Sequence, residues 1–314
     1  MLHRGTTYGI GSPSSMTDYQ FIHWLDYIAL PDQEETWVVE PLVPSGGWFC
    51  IYGKPKTGKS LLALNMAIAV STGRKEWLGF PIHRHGPVAY FQADNPRSLW
   101  RGNHLKRLIA GGQEGDIWFA DPYTMPYPFD ILAEGNAEIL ADMIARLPIQ
   151  PIVVLVDTIR EVHSADENAS GDMRQVIALL REAAGPDPAL GLVSHSRKGL
   201  ENDSGADRET GSQIMDDVRG NSYVPGKMDT MIKLTDHYMH YKGRACGLKR
   251  LKVRMDDFNI WHVEQDELAE ELQKRVDMRP HASTRKLAKE MAQDLDLPEE
   301  KVRSMLRRMK GELK

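Results

Sequence analysis

The chain is 314 residues long, 41% hydrophobic and 26% charged, with a net charge of −5. That size suits one α/β domain of about 230–250 residues plus an appendage, and the overall charge excludes a chain built as a whole to coat nucleic acid. The charge is uneven, however: Lys274–Lys314 carries 12 Lys/Arg against 7 Asp/Glu, a net +5, which leaves −10 for the rest and points to a basic tail. The two cysteines, Cys50 and Cys246, have no Cys or His at metal spacing, so no zinc site is expected and a reducing compartment is the simpler reading. With no signal-peptide apolar core at the N-terminus and no run of 18 apolar residues, the expected location is cytoplasmic, off the membrane.

In chain order, 1–35 reads as a flexible leader followed by a helix over Thr17–Leu30, where Phe21, Ile22, Trp24, Leu25 and Ile28 recur at helical spacing. That helix packs either on its own domain or on a neighbouring subunit. Trp48–Tyr52 is a short apolar strand and Ser60–Ser71 a helix apolar enough to lie buried on a sheet. Strands follow at Val88–Gln92, Ile117–Ala120, Ile152–Val156 and Leu190–Ser194, with helices at Arg97–Leu108, Ala133–Arg146 and Met173–Ala184 between them. Such alternation predicts βαβ units around a parallel sheet, and the unbroken aliphatic runs predict a sheet covered on both faces. Leu200–Asp217, polar and rich in Gly and Ser, reads as a mobile loop. Met228–Thr235 and Leu248–Arg254 read as strands joined by a hairpin through Lys242-Gly243-Arg244, and Asn259–Val263 as a further strand. The segment 36–264 is thus one α/β domain. Residues 265–314 form a helical module: a charged helix at Gln265–Arg275, a linker with Pro280, and helices at Leu287–Leu295 and Glu299–Leu313.

The chemistry starts at Gly53-Lys54-Pro55-Lys56-Thr57-Gly58-Lys59-Ser60, a full G-x-x-x-x-G-K-[ST] loop between a strand and a helix. Glycines at both ends let the backbone wrap phosphates with its amides, at the positive end of the helix that begins near Leu61. Lys59 would reach the β- and γ-phosphates of ATP, and Ser60 would ligate Mg²⁺. The aliphatic run from Pro151 ends in Asp157, a second magnesium-shell residue at the Walker B position. Val88–Gln92 leads to Asp94, either a carboxylate that orients the attacking water or a helix cap before Pro96. Ser194-His195-Ser196-Arg197-Lys198 ends the next strand at the same sheet edge, where open α/β sheets place ligands; His195 can sense the γ-phosphate there or serve a structural role.

These segments occur in a telling order. Glu35–Gly47, the Walker loop, Ala93–Pro96, Val156–Arg160, Glu167–Gly171, Ser194–Gly199 and Arg219-Gly220-Asn221-Ser222 together resemble the plasmid RepA-type hexameric replicative helicases, of the RecA/DnaB class. The resemblance covers about Thr36–Trp261 and implies a RecA-like core, a hexameric ring with ATP at subunit interfaces, and single-stranded DNA in the channel. It puts Asp94 where the class usually has a catalytic Glu, and His195 at the sensor position. By the same resemblance, Leu200–Asp217 is the DNA-facing loop, with Arg197, Lys198 and Arg208 for phosphate contacts. A cation from the neighbour completes such a site. Arg219 is one candidate, and Lys252 with Arg254, a K-x-R on a late strand, is the other. A surface salt-bridging role for either stays open.

The tail reads as a helix-turn-helix that binds DNA or as a charged pair of helices at the ring edge. The leading functional reading is an ATP-driven helicase or translocase of plasmid- or phage-type replication, working with replication-initiation partners. A filament-forming recombination ATPase and an ATP-dependent loader or switch are the alternatives.

Overall fold

The computed structural model describes residues 21–29, 36–125, 128–196, 223–264, 267–279, 282–294 and 298–309. The chain divides into two compact units at the 35/36 junction. In the first, only Trp24–Ile28 (α1) is helical among the described residues, and none of α1 is buried.

The second unit is built on one nine-stranded sheet. Two small hairpins flank it: β1 (Trp37–Val39) with β2 (Val43–Pro44), and β4 (Glu76–Trp77) with β5 (Phe80–Pro81). Its six parallel strands are β3 (Trp48–Gly53), β6 (Val88–Gln92), β7 (Ile117–Ala120), β8 (Val153–Asp157), β9 (Ala189–His195) and β10 (Thr230–Leu234). Antiparallel strands β11 (Tyr238–Gly243), β12 (Lys249–Met255) and β13 (Trp261–Val263) extend one side. The spatial order is β13-β12-β11-β10-β3-β9-β8-β6-β7. The chain leaves β3 and crosses over the places of β9 and β8 to reach β6, so loops at the carboxyl ends part beside β3 and leave a crevice there. This is the RecA-like P-loop arrangement that the resemblance implied.

Burial follows from that topology. Every residue of β3, β6, β8 and β10 is buried, as strands covered on both faces require. On one face lies α2 (Lys59–Ser71), buried at each position from Leu61 to Val70. A helical stretch follows β6, with α3 (Arg97–Leu99) and α4 (Lys106–Ala110) on either side of a π-helical segment, Trp100–Leu105. On the opposite face lie α5 (Asn136–Ala145) and α6 (Ser170–Ala184). Ala137, Leu140 and Ile144 of α5, and Met173, Val176, Ile177 and Leu180 of α6, form the stripes at 3–4 residue spacing that seal it. Each such aliphatic side chain contributes roughly 1.5–3 kcal/mol by burial. A short helix, α7 (Tyr223–Lys227), precedes β10. The C-terminal helices α8 (Glu267–Met278), α9 (Thr284–Asp294) and α10 (Glu299–Met309) gather around a separate cluster of Leu272, Leu287, Ala288, Met291, Ala292, Val302 and Leu306.

One polar residue interrupts the apolar surface of α2. Buried Asn65 donates to the Asn259 carbonyl at 2.9 Å and accepts from the Trp261 amide at 3.0 Å, tying α2 to the β12–β13 turn. Asn65→Ala strands both backbone groups in an apolar layer, so a stability loss of about 2–3 kcal/mol is expected in chemical denaturation.

The structure corrects the reading of 228–254. A whole strand, β11, stands between the two that the sequence suggested. The turn around Lys242-Gly243-Arg244 is real, but it leads out of β11 rather than β10. The alternation of β11 is half-buried and short, and polar Thr235–His237 makes a second turn before it.

Candidate functional site

The loop 53–60 joins the centre of the sheet to α2. Gly53 has φ +157, and a Cβ there would stand 2.2 Å from the Leu234 carbonyl oxygen of β10. Gly58 has φ +89, and its Cβ would meet the Trp261 ring at 2.8 Å. Both ends of the loop are therefore closed to side chains by close approach as well as by backbone conformation. Lys54, Pro55 and Lys56 form the exposed tip. Lys59 opens α2 and is buried. Its Nζ turns back across the loop and donates to the Lys54 carbonyl at 2.7 Å, an oxygen that also accepts from the Thr57 hydroxyl at 3.0 Å. Burial pulls the Lys59 ammonium down to about 8, against the attraction of Asp157 and Asp94.

The strand ends bring the other residues to this loop. Gln92 of β6 pairs with Asp157 of β8, Asp157 with Val193 of β9, and His195 of β9 with Gly53. Tyr90, Leu155 and Val193 belong to the core under α2. Period-2 alternation then places Gln92, Asp157 and His195, each two residues further along its strand, on that same face. The Ser196 amide donates to the Gly53 carbonyl at 3.1 Å, which seals the end of β9 against the loop.

Asp157 is fully buried. Its Oδ2 accepts from the Tyr90 hydroxyl at 2.7 Å, and that same hydroxyl lies 3.2 Å from the Ser60 carbonyl oxygen. Burial lifts the Asp157 carboxyl to about 6, held back by hydrogen bonds from Tyr90 and the Ser60 hydroxyl. Asp157 Oδ1 is buried with no hydrogen-bond donor among the described residues. An unsatisfied anionic oxygen beside a serine hydroxyl fits the shell of a Mg²⁺ ion carried in with a nucleotide. Among the described residues no cluster of three or more His, Cys, Asp or Glu side chains makes a protein-only metal cage, which agrees with a cation held largely by phosphates. Ser60 and Asp157 are the residues that would hold it.

Asp94 is exposed at the same edge. Its charge acts on both Lys59 and Asp157. The Ala93 and Asp94 amides both reach the Asp157 carbonyl, at 2.7 and 3.4 Å, and this fixes the turn against β8. Residue 96 is the N-cap of α3 and no side chain caps that helix, so Asp94 makes no cap bond there.

The K-x-R pair lies elsewhere. β10 and β11 separate β12 from β3, a distance of about 14 Å at normal strand spacing. Val253 faces the α2 core, so Lys252 and Arg254 occupy the opposite face. Lys252 pairs with Glu264 at 3.2 Å, and Arg254 is exposed. Arg219, Arg197, Lys198, Arg208 and the loop expected at Leu200–Asp217 lie outside the described residues.

Gln92 is a residue that sequence reasoning passed over. It is 1% exposed, and neither atom of its amide has a partner among the described residues. A polar residue closing an otherwise apolar strand two positions before Asp94 was the available signal.

A family profile described as an AAA domain matches residues 14–201. A solved structure, by its title the ATPase domain of a larger protein, is similar over 70% of this chain and 85% of its own, with a TM-score of 0.50 and 12% identity. At that identity the likeness is one of fold.

Proposed function

The chain belongs to the AAA domain family, and from that premise we propose that it is an ATP-hydrolysing DNA helicase or translocase that works as a ring, with ATP sites between subunits. One observation carries the reading. Lys59, Ser60, Asp94, Asp157 and His195 converge at one sheet edge beside Gly53, whereas Lys252 and Arg254 stand on the far side of two strands and the opposite face. A site with its anion cradle, acid and sensor on one chain, and its K-x-R remote, suits a cation donated by the next subunit. Arg254 is the favoured donor on exposure, and Arg219 is the other.

In this reading the loop amides and Lys59 hold the triphosphate. Mg²⁺, bound with ATP between Ser60 and Asp157, supplies charge neutralisation at the phosphates. Asp94 takes a proton from the attacking water, and His195 couples the γ-phosphate position to the DNA-contacting loop after β9. Single-stranded DNA is the track, and the setting is plasmid- or phage-type replication with its initiation partners.

Unwinding of a forked duplex in the presence of ATP and Mg²⁺ tests this. Strand separation supports it. ATP-dependent filaments on single strands without unwinding indicate a recombination ATPase instead. Hydrolysis that ignores DNA altogether indicates a loader or switch. Asp94 gives a narrower test: Asp94→Asn is expected to leave nucleotide affinity intact and lower turnover by about 10²-fold or more. Unchanged turnover removes Asp94 from the reaction.

A further inference from the structure

The C-terminal helices carry a feature that the ATP site does not use. α9 and α10 pack through Leu287, Ala288 and Met291 against Val302 and Leu306. Beside this pair runs a cleft of about 600 Å³ lined by Ser283, Thr284, Arg285, Arg303 and Arg307. Arg303 and Arg307 are one turn apart on α10 and share a face, and Arg285 comes from the first turn of α9.

Ion pairing leaves this surface strongly positive. The described acids of α9 and α10 are all taken up. Glu290 pairs with Arg279 at 2.7 Å, Asp294 with Arg275 at 2.8 Å, and both Glu299 and Glu300 with Arg303. Arg303 is thereby held in place, with its Nε buried and without an acceptor among the described residues. Arg285 and Arg307 are exposed and have no carboxylate partner among the described residues; exposed Lys286 and Lys289 lie on the turn beside Arg285. The acids that would neutralise a basic helix pair are spent elsewhere, and the guanidiniums are left in the cleft.

We infer that this cleft binds the phosphate backbone of duplex DNA. Guanidinium forks match phosphate oxygens in pairs. Three of the five lining residues are Arg, and Ser283, Arg285 and Arg307 are exposed, so the cleft lies open along its length and suits an extended polyanion better than an enclosed metabolite. Two 11-residue helices joined across 295–298 also match a helix-turn-helix, in which the first helix crosses the backbone and the second enters the major groove. The tail's net +5, on a chain otherwise at −10, concentrates attraction for DNA here. The inference goes beyond the ATPase reading and stands without it: it gives the chain a grip on duplex whether or not the motor unwinds it.

The test uses the full chain, a short blunt duplex without single-stranded ends, no nucleotide, and a salt titration followed by fluorescence anisotropy. Arg285→Ala/Arg307→Ala is expected to bind about tenfold more weakly, with a log–log salt slope smaller by about 2. Its ATP hydrolysis and circular dichroism are expected to match wild type, and Arg285→Lys/Arg307→Lys to recover most of the slope. Equal affinity and slope in wild type and the Ala variant overturn the proposal, as does a wild-type chain that does not bind the duplex. A loss confined to single-stranded DNA, or a changed oligomeric state with unchanged duplex affinity, also overturns it. Failure of the helicase reading would appear separately, in unwinding.

Discussion

Lys59→Ala is expected to lower ATP hydrolysis by about 10²-fold or more without unfolding the chain. Lys59 is 5% exposed, and its ammonium lies among the loop carbonyls with Asp157 and Asp94 nearby. Burial depresses its affinity for a proton, so the folded chain holds that charge at a cost in solvation. Triphosphate oxygens offset the cost far better than the single Lys54 carbonyl does, because anionic acceptors form shorter, stronger bonds to an ammonium. Removing the side chain deletes that attraction and relieves the desolvation together. Activity should therefore collapse while the melting temperature stays within about 2–4 °C of wild type. Nucleotide titration and thermal melting on the same preparation read both halves. An active variant, or one that unfolds, separates Lys59 from the role given to it.

Asp157→Asn is expected to have an effect of similar size, with an opposite sign for stability. The substitution keeps an acceptor for the Tyr90 hydroxyl and the shape of the side chain. It removes a fully buried charge that burial already pushes up to about 6. A neutral amide in that place relieves desolvation, so the denaturation midpoint should hold or rise. Turnover should fall by about 10²-fold or more, because the neutral amide no longer offers an anionic oxygen to a hard cation beside Ser60. The alternative substitution, Asp157→Ala, also leaves the Tyr90 hydroxyl and the Ser60 hydroxyl without their acceptor, so it mixes a folding defect with the catalytic one. Parallel measurements of both variants separate charge from structure.

The loop and Asp157 were legible because their chemistry is written in consecutive residues. Gly53, Gly58 and Lys59 announce a phosphate cradle, and Val153–Asp157 announces a buried strand that ends in an acid. The reason for the glycines was only half legible. Backbone wrapping needs no partner, whereas the close approach of Leu234 and Trp261 depends on strands contributed from some 180–200 residues further along the chain. The same distance in sequence hid β11 and the Asn65 latch: short alternating segments and a lone polar residue gain their meaning from neighbours that only the fold supplies. Gln92 is a sharper case. Its identity was visible, but its isolation is a property of the space under α2. Asp94 could be read as a cap from its place before Pro96, and only the geometry of the first turn of α3 shows no such bond. The sequence also left the tail open between a charged surface and a DNA module, because pattern alone does not tell which acids pair with which Arg residues.

The central claim is that the edge formed by Gly53–Ser60, Asp94, Asp157 and His195 hydrolyses ATP in service of movement on DNA. Steady-state ATP hydrolysis by the wild-type chain, with Mg²⁺, measured with and without single-stranded DNA, tests it most directly. Hydrolysis that rises several-fold with the strand and disappears in Lys59→Ala is the predicted result. A rate that is absent, or that is indifferent to single-stranded DNA, contradicts the account.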